Sequence, residues 1–379
     1  MMARLEEICA INMGQSPDSS TYNEDGNGLP FFQGNADFGE IYPAVRMWCS
    51  EPTKIAREKD ILISVRAPIG ALNIANCECC IGRGLAALTV NEDICAQEYL
   101  WHALSGKVDE LNSKGTGSTF KAINKKTLSE TEIPLPPIDE QRKIAAILDK
   151  VSDLIAKRQQ QLDKLDEAVK ARFVEIFGDS ETNTKNWRVL PMSKICSVGS
   201  SKRIYQSEQS SSGVPFWRIS DLTSLITTGT VTPELYIPEE RYKELKTQGQ
   251  VPAPGDILIT SRGTLGQCYI VKVNDRFYFQ DGMISWLSGY MDGVTPLYIS
   301  YLFTMPGFRK QIDSMQAGST VAYLSITMIK KLKVMLPDIE SQQQFASFVS
   351  KTEKTKTTIS RSLEKLETLK KALMQEYFG

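Results

Sequence analysis

The chain repeats itself. Residues 117–178 align with 318–379 at a constant offset of 201, without a gap. Gly117-Ser118-Thr119 answers Gly318-Ser319-Thr320, Leu135-Pro136 answers Leu336-Pro337, Gln141 answers Gln342, and EIFG (175–178) answers EYFG (376–379). Upstream the register drifts while the order of matches persists. LPFFQGNADF (29–38) answers VPFWRISDLT (214–223), DILISVRAPIG (60–70) answers DILITSRGTLG (256–266), and Gly84 ahead of apolar residues answers Gly282. A ladder that keeps its order over half the chain dictates two copies of one unit, each a globular part followed by a long helix. A length of 379 residues leaves room for two cores.

The helical part carries a seven-residue period. Leu148, Ile155, Leu162, Val169 and Ile176 fall seven apart, with Ile144, Val151 and Leu165 on the neighbouring ridge. That is a heptad seam, interrupted by Arg158 and Arg172. The second copy places Phe345, Ile359, Leu366 and Leu373 on one ridge and interrupts the other with Lys356 and Lys370. Two seams of equal length with different defects are expected to pair with each other. Pro136 and Pro137 open the first helix, where a missing N–H costs nothing, and Gly178 closes it. Forty residues at 1.5 Å each give a rod of roughly 60 Å. A coiled coil used only for bracing is the plainer alternative to a spacer of fixed length.

Between the helices the pattern changes. Short apolar runs such as DILISV, LAALTV, DILITS, CYIVKV and MISWLS, punctuated by Gly, Pro and Asn, predict strands. Helices are predicted at 97–112 and 297–312. The fold class is therefore α+β, with mixed or mostly antiparallel sheets plus helices in internal repeat, and two long helices pairing as an antiparallel coiled coil. The expected boundaries are 1–134 and 179–335 for the globular domains and 135–178 and 336–379 for the helices, with a polar linker at 178–186.

Composition removes several function classes. The single histidine, His102, sits in an apolar helical pattern, which leaves a Ser-His-Asp triad or a His-rich metal site without its usual parts. There is no P-loop, and GTGS at 115–118 lacks the strand and helix that a nucleotide loop needs. Eight cysteines are mostly scattered, and C-E-C-C at 77–80 has neither a C-x2-C spacing nor a fourth ligand, so no metal is expected. No run of 18 apolar residues occurs and MMARLEEICA has no signal-peptide core, so a cytoplasmic location and no membrane partner are expected. Lacking a catalytic constellation, the chain is expected to recognise rather than to catalyse. The rivals are a coiled-coil scaffold that only binds proteins, and a hydrolase in one globular half.

The order of globular domain, LPPIDEQ helix, second globular domain and LPDIESQ helix resembles the specificity subunit of a type I restriction–modification system. The motifs PFF and PFW near 30 and 215, DILIS and DILIT near 60 and 256, and GST before each helix carry the resemblance, which covers nearly the whole chain. It implies two target recognition domains, each reading one half of an asymmetric bipartite site on double-stranded DNA. The paired helices would set the gap and hold two modification (methyltransferase) subunits, joined by two restriction subunits where the system carries them. It implies no cofactor in this chain, with S-adenosylmethionine bound by the methyltransferase and ATP and Mg by restriction subunits.

Side-chain chemistry then selects candidates. Arg reads guanine and Asn or Gln reads adenine in the major groove. Such groups recur beside the repeat's Gly-rich loops at Gln33, Asn35, Arg66 and Arg83, and at Arg218, Ser220, Arg262 and Gln280. Lys114, Ser118, Thr119, Ser319 and Thr320 sit where a glycine loop could approach phosphate. A surface or turn residue is the simpler reading of each. Arg66 and Arg262 stand out because they follow matching strands, although a salt bridge repeated with the fold would explain that match too. Charge runs against a dedicated DNA binder, since residues 1–137 hold 12 basic against 18 acidic groups and 179–337 hold 17 against 13. Weak DNA binding by the chain alone is expected.

Overall fold

The computed structural model describes residues 1–117, 121–316 and 322–379. Its two compact units do not follow chain order. Unit 1 comprises Met1–Gln160 with Ile359–Gly379, and unit 2 comprises Gln161–Thr358. Each unit thus contains one globular half, the start of the helix that follows it, and the end of the other long helix.

Within each unit the sheets repeat strand for strand. The four-stranded antiparallel sheet of unit 1 runs Cys9–Met13, Leu85–Val90, Ile61–Ser64, Leu72–Ile74. That of unit 2 runs Ser197–Gly199, Ile284–Ser288, Ile257–Thr260, Cys268–Ile270. A second sheet holds the one parallel pairing found in each unit among the described residues, Leu29–Phe32 beside Cys79–Ile81 and Val214–Trp217 beside Tyr278–Phe279. The sheets are therefore mixed. The ladder also corrects one match, because Leu85 opposes Ser64 and Ile284 opposes Thr260, so Gly84 corresponds to Met283 and not to Gly282.

The repeated sequence motifs hold this framework together. Asp60 and Asp256, the acids of DILIS and DILIT, each accept a backbone N–H three residues upstream, from Arg57 (2.8 Å) and Ala253 (2.7 Å). Asp256 also takes the Trp286 indole N–H at 2.9 Å, and its burial raises its pKa. These carboxylates close turns into buried strands. Cys79 and Cys80 alternate on their strand, so one joins a cluster with Leu62 and Leu85 and the other packs with Phe31 and Cys49. Burial pushes the Cys79 thiol up to about 12.

The helical stretches at 97–112 and 297–312 are each two helices. Gly106 follows Gln97–Ser105 before Val108–Ser113, and Pro306 opens Pro306–Ser314 after Pro296–Leu302. A proline lacks the N–H that a continuous helix requires, but is well suited to a first helical turn. The long helices span Ile138–Phe177 and Ile339–Phe378, so the prolines at 136 and 137 precede the first. Gly178, at φ +80°, ends it.

The long helices pack together antiparallel. In unit 1, Ile144 and Leu148 share a core with Phe378, Leu373 and Met374. In unit 2, Phe345 lies against Phe173 and Phe177, while Lys356 donates to Asp166 at 2.9 Å. A cation that interrupts the apolar ridge is thus offset by a carboxylate on the facing helix. Of the expected seam, Leu148, Val169 and Phe345 are buried, and Ile155, Leu162, Ile176, Ile359, Leu366 and Leu373 are half-buried.

His102 is a core histidine whose Nε2 lies 2.7 Å from Asp149 Oδ1 on the first long helix. Burial of the ring lowers its pKa and outweighs the opposing pull of Asp149. The folded state therefore disfavours the proton that the unfolded chain, with a pKa of about 6.5, accepts. Stability from this group is complete above that pH and is lost as pH falls below it. A smaller drop in thermal midpoint from pH 7.5 to pH 5.5 is expected for His102→Gln than for the natural chain. Equal drops would show that His102 does not contribute.

Candidate nucleic-acid interface

The exposed ends of the parallel strand pair carry the polar candidates. In unit 1 the Gly82 N–H donates to Phe32 O at 2.8 Å, and the Gly84 N–H donates to Gln33 O at 3.1 Å. The Val65 N–H donates to Gly84 O at 2.9 Å. Gly84 is thus wedged between two strand ends, and a Cβ there would lie 2.3 Å from Gln33 O. Only glycine permits that approach. Asp37 accepts the Gln33 N–H at 2.7 Å, fixing the turn beyond the strand.

These contacts bring Gln33, Asn35 and Arg66 to one cleft of about 420 Å³, lined also by Phe31, Asp37, Arg46, Met47 and Gly84. Gln33 and Arg66 are exposed, and Asn35 is half-buried. Arg83, exposed, adjoins Gly84, and its backbone N–H donates to Ser16 Oγ at 3.3 Å. Lys114 lies elsewhere, 2.6 Å from Glu110 on its own helix. Hydrogen bonds from Lys114 and Lys107 lower the Glu110 pKa.

Unit 2 repeats the backbone and changes the side chains. The Gln280 N–H donates to Trp217 O at 2.9 Å, beside Arg218. Asp221 accepts the Arg218 N–H at 2.8 Å, as Asp37 does for Gln33. The Arg218 guanidinium is committed to Glu234 (2.8 Å) and Asp221 (3.6 Å), whose hydrogen bonds and charge raise its pKa further. Ser220 is exposed and Gln280 half-buried. Arg262 is exposed and lies 5.2 Å over the Tyr323 ring. Neither Arg66 nor Arg262 forms an ion pair among the described residues. Both follow strands tied down in the same way, by Ile123 N–H to Val65 O (2.9 Å) and Leu324 N–H to Ser261 O (3.0 Å). Ser118, Thr119, Ser319 and Thr320 lie outside the described residues.

Two side chains that the repeat flagged but whose work it did not reveal are Gln141 and Gln342. Both are buried at the head of a long helix. Gln141 Oε1 accepts the Ala96 N–H at 2.9 Å, and its Nε2 donates to Ile94 O (3.1 Å) and Pro136 O (2.8 Å). Gln342 accepts from Thr295 N (2.9 Å) and donates to Gly293 O (2.8 Å) and Pro337 O (3.0 Å). Each latches its helix to the loop that enters the first helix of the 97–113 or 296–314 pair. Arg46, which lines the same cleft as Gln33, Asn35 and Arg66, is not among the sequence candidates, because nothing in the repeat answers it.

Two copies of one α+β fold, joined by a pair of long antiparallel helices and presenting polar strand ends, define a tandem-repeat recognition architecture. The chain belongs to the type I restriction modification DNA specificity domain family, whose sequence model matches residues 1–167 and again 184–368. It is 44% identical over 165 residues to a Methanocaldococcus jannaschii protein described as the type I restriction enzyme MjaX specificity subunit, covering 44% of this chain and 39% of that protein. It is 26% identical over 263 residues to a type I restriction enzyme specificity subunit of Haemophilus influenzae, covering 65% of this chain and 62% of that protein. The chain thus spans less than two thirds of the length of these two relatives. The fold is that of the crystal structure of a type I restriction–modification S subunit from M. genitalium, with a TM-score of 0.61 at 14% identity, covering 100% of this chain and 96% of that one. Among the described residues no helix is long and apolar enough to cross a membrane.

Proposed function

We propose that the protein is the DNA sequence-recognition subunit of a type I restriction–modification complex. The observation that carries this reading is the doubled family match, 1–167 and 184–368, in step with the structural repeat. On this reading the target recognition domains are 1–134 and 179–335, and the conserved spacer helices are 135–178 and 336–379. Each domain reads one half of a bipartite site on duplex DNA. The helices, through Leu148, Ile155, Leu162, Val169 and Ile176 against Phe345, Ile359, Leu366 and Leu373, set the gap and dock two modification subunits.

Gln33, Asn35, Arg66 and Arg83 would read bases in one half-site, and Arg262, Gln280 and Ser220 in the other. Arg218 is a weaker reader, because two carboxylates already hold it. Lys114, Ser118, Thr119, Ser319 and Thr320 would meet phosphate. Methyl transfer belongs to the S-adenosylmethionine-binding partner, cleavage to ATP-dependent restriction subunits where present, and none to this cytoplasmic chain. Because the polar strand ends of the two units differ in side chains, the two half-sites differ in sequence.

The test is base-resolution mapping of methylated DNA in cells expressing the neighbouring methyltransferase, with and without this chain. A bipartite motif with two unlike halves and a fixed gap should appear only with the chain. Replacing residues 1–134 by those of a relative should change one half and leave the other. Unchanged methylation, given an active methyltransferase, would defeat the reading.

A further inference from the structure

Arg46 stands in the unit 1 cleft beside Arg66, with Gln33 and Asn35. Its backbone is fixed on both sides. The Phe31 N–H donates to Met47 O at 2.8 Å on one side, and the Ala44 N–H donates to Asp37 O at 2.8 Å on the other. Its guanidinium has no ion-pair or hydrogen-bond partner among the described residues. Arg218, at the Gln33 position of unit 2, shows the contrast, with carboxylates at 2.8 and 3.6 Å. An exposed arginine on a tethered backbone, with no internal partner, leaves its guanidinium available to an external acceptor.

The surroundings favour a base edge over a phosphate. Gln33 and Asn35, whose amides suit base edges, line the same cleft as Arg46, and Tyr42 and Val45 just before it in the chain are exposed. Amide side chains in the cleft of an arginine suit the donor and acceptor pattern of a major groove better than a solvated phosphate. Residues 1–137 are acidic overall, which makes the region a poor general phosphate binder. Arginine matches guanine with two hydrogen bonds, to O6 and N7.

We infer that Arg46 takes the O6/N7 edge of one guanine in the half-site read by unit 1. This assignment rests on the specificity reading above. Once the motif is mapped, the complex is reconstituted with its methyltransferase. Methylation rates are then measured on duplexes substituted singly at each position of that half-site. The natural chain should prefer guanine roughly tenfold or more at one position. Arg46→Gln should abolish or shift that preference towards adenine at that position alone, with the other half-site unaltered as a built-in control for folding. Where Arg46→Gln does not assemble, Arg46→Lys keeps the charge, and it should still weaken discrimination at the same position. A profile that keeps its shape, whether or not all rates fall together, overturns Arg46 as a base reader while the specificity reading stands. Absence of any bipartite motif with the natural chain overturns both.

Discussion

Replacing Gln141 by leucine is expected to destabilise unit 1 by about 3 kcal/mol, although the substitution keeps much of the volume and adds hydrophobic surface. The side chain is fully buried and makes three hydrogen bonds, to Ala96 N, Ile94 O and Pro136 O. Leucine would leave all three backbone groups dry and unpaired, at roughly 1–3 kcal/mol each, moderated where the loop can open to water. The Ala96 N–H belongs to the residue capping helix Gln97–Ser105, which has no side-chain cap of its own, so the loss also loosens that helix start. Gln141→Glu should be worse at pH 7, since a buried carboxylate would face two carbonyls. It should recover partly towards pH 5, where the protonated acid regains a donor. Hydrogen exchange resolved by unit is the measurement, because a two-unit chain need not unfold in one step. Protection should fall around 94–105 and 138–148 and stay unchanged in unit 2. Gln342→Leu should give the mirror result. A loss below about 1 kcal/mol would mean that the latch is replaceable by water.

That latch explains why so much was legible in the sequence, and what was not. The motifs that repeat are the parts every copy of the fold must make. Asp60 and Asp256 close turns, Gln141 and Gln342 fasten helices, and the Phe of EIFG and EYFG enters a core beside a tyrosine, Phe177 at 4.9 Å from Tyr298 and Phe378 at 5.2 Å from Tyr99. Framework chemistry is the same in both copies, so it survives comparison of the chain with itself. Residues that would read DNA have to differ between copies, and so leave no echo. Gln33 and Arg66 are legible as candidates only because they adjoin framework motifs. Arg46 adjoins none, and its place depends on a long-range pairing of Leu29–Phe32 with Trp48–Cys49. The helix breaks at Gly106 and Pro306 were written in residue type, but a continuing apolar period concealed them. The compact units, each with the tail of the other helix, follow from antiparallel pairing and cannot be read from chain order.

The second large effect is expected in the aromatic cluster of unit 2. Phe345 is fully buried, with ring centroids 5.3 Å from Phe173, 5.4 Å from Phe177 and 5.1 Å from Tyr301, all edge-on. Phe173 in turn stacks on Tyr298 at 5.7 Å, and the Tyr298 hydroxyl donates to Met335 O at 2.9 Å. Phe345→Ala should cost about 3–5 kcal/mol, the range for deleting a buried phenyl ring from a core that cannot collapse around the void. Ile144, the residue 201 positions earlier, is nearly as buried but is an aliphatic side chain in the unit 1 core with Leu148, Leu373, Met374 and Phe378. Ile144→Val removes one methylene and should cost only about 1 kcal/mol. A double-mutant cycle between Phe345 and Phe173 should leave a coupling of about 0.5–1.5 kcal/mol, because edge-on rings gain more than their buried area. The two rings lie on different long helices, so this coupling measures the helix pairing itself. Additive effects within about 0.3 kcal/mol would show that Phe345 fills space in unit 2 without fastening one helix to the other.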